Sequence, residues 1–288
     1  LNAPANKKFL ADEEIKLLAA LVGLDLKHYT AANKLLRQLT ASANFKDQAY
    51  YYLAVSAERQ ALISDAIVFY GKVMQPDLVL KSRQQQIELL LSQQRYSEAI
   101  ASAIKLREQF DRFTAQSYIL QANILRQDNQ LPQALALLNS AQTSLPENSD
   151  ILFAKVQLLP EEDFAAKLRL LKELLRLSPS NMDYLLAYAQ TLVNLKQNSE
   201  EVAGLLAPLV NDKEVGLKAR QILAQQALHQ ADNAAVISLL SDNFDIIPDV
   251  ISGLLLQQAY QNLGNQTEAT RIEQILRNEL DYQPEKIN

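Results

Sequence analysis

Alanine recurs along this chain at a nearly constant spacing of about 34 residues. The alanines in the segments YTAANKLL, ISDAIVFY, YSEAIASA and LPQALALL follow one another at 34, 33 and 35 residues; they are Ala32, Ala66, Ala99 and Ala134. A further 135 residues, or four more periods, lead to Ala269, and Ala203 lies about two periods after the fourth alanine. A period of this length indicates stacked structural units, since no single unit buries its apolar face alone.

Each period carries two runs of apolar residues at helical spacing. In residues 115–148, Tyr118, Ala122 and Leu125 recur at i, i+4 and i+7, as on one face of an α-helix. A polar turn follows, and Ala134 then lies on the inner face of a second helix. The repeated unit is therefore predicted to be a pair of antiparallel helices.

Turn and cap residues mark where these helices begin and end. Gly264 lies between two apolar-periodic runs and is predicted to end one helix, so that the chain can double back. Pro76 is predicted to close the unit that precedes it, and Ser199 to cap the helix that follows it. The acidic run Glu161–Asp163 follows Pro160 and is interpreted as the start of a helix, where carboxylates meet the positive end of the helix dipole.

Composition supports an all-helical chain. Among 288 residues there are only six glycines and nine prolines, so hairpin turns are scarce, while Ala, Leu and Gln favour helices. The hydrophobic share of 48% is sufficient for a substantial core. Apolar runs such as LLAALVGL fall well short of the roughly 20 residues of a membrane span, so we expect no membrane-spanning helix.

The order of residue types within a unit resembles the tetratricopeptide repeat. In residues 47–78, Tyr50 and Leu53 are followed by small residues, the second helix opens with Ala66, and Tyr70 comes four residues later. The resemblance implies an all-α fold, a right-handed α-α superhelix (solenoid) of about eight helix pairs. The stretch 50–73 is also similar, less specifically, to repeats of bacterial envelope tetratricopeptide lipoproteins.

The resemblance covers residues 12–281, between an N-terminal tail 1–11 and a C-terminal tail 282–288. The expected units are 12–45, 47–78, 80–111, 115–146, 148–180, 182–213, 217–248 and 250–281. Three of them depart from the pattern. Lys167 or Leu168 takes the alanine position in the fifth unit, Val236 takes it in the seventh, and the turn of the sixth is expected to be about two residues longer.

No residue pattern indicates catalysis. His28 and His229 are the only histidines and lie about 200 residues apart, there is no cysteine, and the glycines are isolated. We therefore expect a protein that is not an enzyme and that has no metal and no cofactor. No basic run is longer than Lys7-Lys8, and with a net charge of −5 we expect no nucleic-acid partner.

In an array of this kind the first helices line a concave face. The residues predicted to bind a partner there are mostly amides: Gln48, Tyr51, Arg59, Gln84, Glu88, Asn123, Arg126, Gln190, Asn194, Gln221 and Gln225. Amides both donate and accept hydrogen bonds, so a row of them can bind the backbone of an extended peptide. The alternative is that glutamine serves here only as a soluble helix former.

Some tetratricopeptide-repeat proteins grip a partner's C-terminal carboxylate with a Lys/Asn clamp over three units. The matching positions of this chain hold Tyr51, Val55, Gln85, Gln116 and Leu120. None of these is Lys, Asn or Arg, so the resemblance does not extend to carboxylate capture of that kind.

The leading hypothesis is a non-enzymatic protein–protein interaction scaffold that binds a protein or peptide in its concave groove, in a bacterial envelope assembly. The absence of cysteine suits an oxidising periplasm, and because the chain begins with Leu1 we expect an upstream segment, for which a secretory signal is one candidate. The expected location is the periplasm or the periplasmic side of the outer membrane; the alternative is the cytoplasm.

Two other functions stay open. One is a structural subunit that packs against another chain or forms a homo-oligomer, which an exposed apolar stripe on ILRNEL (275–280) would favour. The other is a regulatory repeat module of a larger enzyme.

Overall fold

The computed structural model describes residues 4–282, and in that range it consists of sixteen α-helices and two single 3-10 turns, with no strand. The all-α fold class predicted from the sequence is confirmed. The helices are α1 Pro4–Asp25, α2 Tyr29–Leu39, α3 Lys46–Arg59, α4 Ile63–Tyr70, α5 Pro76–Ser92, α6 Tyr96–Gln109, α7 Thr114–Gln127, α8 Leu131–Ser144, α9 Ser149–Leu158, α10 Phe164–Leu177, α11 Met182–Asn194, α12 Ser199–Leu206, α13 Gly216–His229, α14 Asn233–Ile246, α15 Val250–Asn262 and α16 Gln266–Asn278.

The chain divides after Leu158 into two compact units. The N-terminal unit contains α1 to α9 and the C-terminal unit α10 to α16. Within each unit every helix packs against the next along the chain, and first helices of neighbouring pairs also meet, as α3 with α5 and α11 with α13. The predicted repeat unit 148–180 spans this division, with α9 in the N-terminal unit and α10 in the C-terminal one.

The fourth residue of the second helix is buried in seven of the described pairs, where it lies against the first helix. At all seven positions the side chain is small, with at most 1% exposed; they are Ala32, Ala66, Ala99, Ala134, Val202, Val236 and Ala269. The contact is close: a Cβ on Gly23 of α1 would lie 3.2 Å from the Cβ of Ala32. The recurring alanine therefore marks the closest approach of the two helices.

The sequence misplaced this position in one pair. Ala203 was expected there, but it is exposed and Val202 is fully buried. The turn between α11 and α12 spans four residues, one more than in most pairs and not two more as expected. The fourth helical position therefore falls on the valine.

Six pairs share one turn geometry. Each turn has three residues, and the central one has a positive φ of 57° to 72°; these residues are Lys27, Ala61, Gln94, Asn129, Ala231 and Gly264. The third residue then donates its N–H to a carbonyl five residues earlier, for example Leu62 to Ala57 at 2.8 Å. This is the Schellman arrangement, which satisfies carbonyls at a helix end. The turn predicted at Gly264 is confirmed, and the other five turns use residues other than glycine.

Several predicted boundaries need correction. Pro76 does not close a unit but is the first residue of α5, where its missing N–H costs no helical hydrogen bond. Asn198, not Ser199, precedes α12, with φ 51° and without a side-chain cap. Asp163 does cap α10, because its carboxylate accepts the Ala166 N–H at 3.2 Å.

The two segments predicted to be terminal tails have different outcomes. Helix α1 already begins at Pro4, so most of the segment 1–11 has a helical backbone, consistent with the lack of glycine and proline over residues 5–22. Helix α16 ends at Asn278, and the tail expected at 282–288 lies outside the described residues except for Tyr282. None of the described helices combines the length and the apolar character that a membrane crossing requires.

Candidate partner-binding surfaces

A cleft of about 310 Å³ opens between α5 and α7 in the N-terminal unit. It contains three of the residues predicted to bind a partner: Gln84, Glu88 and Asn123. Gln84 and Glu88 are four residues apart on α5 and therefore lie on one helix face, which is exposed because the buried face of α5 carries Ile87 and Leu90.

The cleft combines polar and apolar groups. Its further lining residues are Gln85, Ile87, Leu91, Leu120, Ile124 and Gln127. The amide of Gln85 donates to the carboxylate of Glu88 at 3.1 Å. Amides near aliphatic side chains can hydrogen-bond a peptide backbone while the aliphatic groups contact its side chains. The cleft is therefore suited chemically to an extended segment of protein.

Tyr51 was predicted to bind a partner on the concave face, but its side chain is largely buried. The residue is 9% exposed, and its ring packs edge-on against Tyr70 with centroids 5.8 Å apart. The cause is the helix period, which turns the second of three consecutive tyrosines towards α4 and α5. The exposed Lys81 lies beside this ring, with its Nζ 5.4 Å from the ring centroid, and hydrogen bonding to Tyr51 raises the pKa of Lys81. Gln48, one turn earlier, is half-buried with an unpartnered Oε1.

The two arginines of the predicted surface differ in whether the fold already uses them. Arg59 donates to the carbonyl of Leu24 at 3.1 Å and lies 3.5 Å from the carboxylate of Asp25. It therefore binds the C-terminal end of α1, where a cation is favourable, and is already used by the fold. Arg126 lies exposed on the last turn of α7.

In the C-terminal unit three predicted residues form an amide cluster. Gln190 of α11 donates to the side-chain oxygen of Gln225 of α13 at 2.7 Å and to Asn194 at 3.0 Å. Gln225 in turn donates to Asn194 at 3.3 Å. The amide ladder that the sequence predicted is thus present here, with its members bonded to one another.

Gln221, one turn before Gln225, is used differently. Its amide donates to Asp249 at 2.9 Å and to Ser252 at 3.1 Å. Asp249 is the N-cap residue of α15, so Gln221 joins α13 to the start of the next first helix. It is a structural contact within the unit.

Sequence reasoning missed several lining residues of the α5–α7 cleft. Gln127 lies one helix turn after Asn123, so the same spacing argument would have found it. Leu91 and Leu120 carry no polar signal and resemble core residues in the sequence. Among the described residues no group of three or more His, Cys, Asp or Glu side chains could hold a metal ion.

Comparison with known proteins identifies the fold through structure. No protein-family model matches the sequence, and no curated protein sequence matches it either. A solved tetratricopeptide repeat protein from Parabacteroides merdae is similar over 86% of this chain and 98% of that one, with 10% identity and a TM-score of 0.52. The structure of yeast Tom70 is similar over 92% of this chain and 65% of that one, with 17% identity and a TM-score of 0.51. This chain therefore spans less than two thirds of the yeast protein.

Proposed function

Because the chain has the tetratricopeptide-repeat fold, we propose that it is a non-enzymatic scaffold that binds an extended segment of a partner protein in the α5–α7 cleft. The observation that carries the proposal is the composition of this cleft: exposed Gln84 and Glu88 and half-buried Asn123 around an apolar floor. The similar solved structures support the fold, and the choice of surface depends on the cleft itself.

The cleft predicts features of the segment that it binds. Amides of Gln84 and Asn123 pair with backbone groups, which favours an extended chain with unpaired N–H and C=O groups. Leu91 and Leu120 contact an aliphatic or aromatic side chain of the partner. Glu88 adds one negative charge, so a lysine or arginine in the partner segment is favoured over an acidic residue.

The amide cluster of the C-terminal unit is less suited to this role. Gln190, Asn194 and Gln225 already bond to one another, so a peptide that bonds to the Nε2 of Gln190 or the Oδ1 of Asn194 would have to replace existing hydrogen bonds. The net gain from such an exchange is small, since each bond formed costs one broken. This comparison favours the N-terminal cleft as the main surface.

Site-specific photo-crosslinking in cells of the source organism tests the proposal. A photoreactive residue at position 84 or 123 is expected to crosslink the same partner, whereas one at exposed Glu108 on α6 is not. With the purified partner, Leu120→Asp should weaken binding at least tenfold, because it places a charge on the apolar floor. A partner that crosslinks only at position 108, and whose affinity Leu120→Asp leaves unchanged, would contradict the α5–α7 assignment.

We also propose a location in the bacterial periplasm, as part of an envelope assembly. The supporting observations are the absence of cysteine and the similarity of residues 50–73 to repeats of envelope lipoproteins. The sequence of the complete gene product tests it: a signal peptide or a lipid-attachment cysteine upstream supports the envelope, and a catalytic domain would instead support a regulatory module of an enzyme.

A second candidate function is self-association through α1. An exposed apolar stripe on 275–280 would have favoured self-association, but Leu276 of that segment is buried against α15. Helix α1 instead exposes Ile15, Leu18 and Val22 at spacings of three and four, and Leu26, the first residue after the helix, continues that spacing; all four are 51–64% exposed. This spacing makes a helix seam, and the same seam on a second copy is its complement. Sedimentation analysis is expected to show a dimer that Leu18→Glu converts to a monomer; a monomeric parent chain would exclude it.

A further inference from the structure

Four large apolar residues are exposed in the C-terminal unit, where α14 ends and α15 begins. They form the 246–254 patch, which consists of Ile246, Ile247, Ile251 and Leu254, each between 36% and 78% exposed. Single exposed apolar residues are common on protein surfaces and need no explanation. Several of them within nine residues of sequence indicate a surface that binds a partner.

The packing of α15 keeps two members of the patch outside the core. The inner face of this helix lies so close to α16 that a Cβ on Gly253 would be 2.6 Å from a methyl carbon of Leu276. Ile251 and Leu254 are three residues apart, so they share one helix face, and this face is opposite the buried residues of α15. The core of the unit therefore cannot cover them.

Ile247 differs from the residues that hold the same position in two other pairs. It directly follows α14 with an extended backbone, and Phe110 after α6 and Leu145 after α8 have a similar conformation. Leu145 packs against the core of its pair, and Phe110 packs against Phe113 with ring centroids 6.2 Å apart. Both are half-buried, whereas Ile247 is exposed. The backbone conformation alone therefore does not explain the exposure of Ile247.

The charge beside the patch is negative. Asp242 and Asp245 lie in the last two turns of α14, and residues 221–270 contain no lysine and no arginine. Four other second helices (α2, α6, α10 and α16) carry an arginine in the last turn, where a cation opposes the negative end of the helix dipole. In α14 a carboxylate takes the place of that cation. This end of α14 therefore favours a positive charge from outside the helix.

Arg271 of α16 offsets only part of this negative charge. It lies 3.0 Å from the carboxylate of Asp245 and 2.7 Å from that of Glu268, so two carboxylates share one cation. Asp242 is exposed and forms no ion pair with any residue that the structure describes. Asp249, the N-cap residue of α15, adds a further carboxylate next to the patch. A net negative charge therefore remains around the exposed isoleucines.

We propose that the 246–254 patch binds a cationic segment of a partner protein, in which aliphatic or aromatic side chains lie beside lysine or arginine. The apolar side chains of the segment cover the isoleucines, and its cations lie near Asp242 and the C-terminal end of α14. The same negative charge disfavours an anionic lipid surface and a second copy of the patch. The patch is in the C-terminal unit, so the inference does not depend on the function proposed for the α5–α7 cleft.

Methyl NMR of the isoleucines tests the proposal on the full chain. The δ1-methyl signals of the patch are identified by their loss in Ile246→Val, Ile247→Val and Ile251→Val. The probe is a synthetic peptide of leucine and lysine whose leucines lie on one helix face, and the control peptide has glutamate at every lysine position. The lysine peptide is expected to shift the three signals saturably, and the glutamate peptide to leave them unchanged.

Matched variants separate the apolar contribution from the charged one. Ile247→Ser combined with Ile251→Gln should weaken the affinity for the lysine peptide by roughly tenfold or more, as the remaining isoleucine signal of the patch reports. Asp242→Asn should weaken it a few-fold and make it less dependent on salt. Leu263→Gln and Glu161→Gln change exposed residues outside the patch and should leave the affinity unchanged.

Four results would overturn the proposal. Equal shifts with both peptides would show that the patch has no preference for a cation, and no shift with either would show that it does not bind a segment of this kind. Shifts that depend on protein concentration without peptide would mean that a second copy covers the patch. Shifts with phosphatidylglycerol vesicles but not with the lysine peptide would mean that the patch binds a membrane.

Discussion

The hydroxyl of Tyr70 in α4 donates a hydrogen bond to the carboxylate of Glu58 in α3, with the two oxygens 2.9 Å apart. Burial is the largest cause that raises the pKa of Tyr70 above its ordinary value of 10.0, and the bond to Glu58 is the next. Tyr188 of α11 repeats the arrangement with Glu201 of α12 at 3.0 Å, and its pKa is also raised. Each bond joins the two helices of one pair.

Alkaline pH is therefore expected to destabilise the protein. Below about pH 10 these tyrosines are protonated in both states and their stabilising effect is complete. At higher pH the unfolded state loses the proton that the folded state keeps, so the free energy of unfolding falls, by up to about 1.4 kcal/mol per pH unit for each tyrosine. Urea denaturation from pH 8 to 11 measures this, and Tyr70→Phe should make the fall shallower. If the free energy of unfolding falls equally steeply with pH in the parent chain and in Tyr70→Phe, Tyr70 titrates alike in the folded and unfolded states.

The positive φ at the centre of the turns predicts that glycine stabilises the chain there. Ala61 and Ala231 have φ of 59° and 60°, a conformation that is unfavourable for a residue with a Cβ. Each Ala→Gly change is expected to raise the free energy of unfolding by about 0.5–1 kcal/mol, and Gly264→Ala to lower it similarly. Thermal denaturation measures the effect. The matched control is Ala203→Gly on an exposed helix face, which should destabilise by about 1 kcal/mol.

The buried fourth position of the second helix predicts a strong dependence on side-chain size. Ala134 is fully buried at the contact between α7 and α8, so Ala134→Leu should lower the free energy of unfolding by about 1–3 kcal/mol. Ala203→Leu adds the same atoms at an exposed position and should change it by less than about 0.5 kcal/mol. Equal melting temperatures for the two variants would contradict the close contact.

Two aspartate caps predict unequal losses in the C-terminal unit. Asp232 accepts one backbone N–H, from Ala235 at 3.0 Å, and Asp232→Ala should cost about 1 kcal/mol. Asp249 accepts from Ser252 and also from the amide of Gln221, both at 2.9 Å, so Asp249→Ala should cost about 2 kcal/mol. Chemical denaturation measures the loss in the free energy of unfolding for both variants. A loss at Asp249 no larger than that at Asp232 would show that the Gln221 bond contributes nothing.

The repeat and its close helix contacts could be predicted from the sequence because the need for a small side chain at each contact is visible as a recurring alanine. Where two helices come close only a small side chain fits, so alanine returns in five of the seven pairs with this buried position, and valine takes it in the other two. The prediction failed at Ala203 because a four-residue turn altered the spacing. Turn length is set by backbone geometry, and the residues between α11 and α12 carry no sequence signal that reveals it.

The candidate site could be predicted only in part. Gln84, Glu88 and Asn123 were found because polar residues one helix turn apart indicate an exposed face. The contacts of Tyr51 with Tyr70 and of Arg59 with Leu24 could not be predicted, since these partners lie on other helices and no spacing within one helix reveals such contacts. Arg83 of α5 is 1% exposed and gives no sign of its burial: in sequence it is one more charged residue on a soluble helix.

The Schellman turns within six of the helix pairs keep the same backbone path although their central residues differ. Their stabilising bonds run between backbone atoms, so lysine, glutamine, asparagine, alanine and glycine all occupy the same joint. A turn position that accepts so many residue types places little constraint on which amino acid can be substituted there. The main-chain path at these six turns is therefore compatible with sequence identities as low as the 10% and 17% to the similar solved structures.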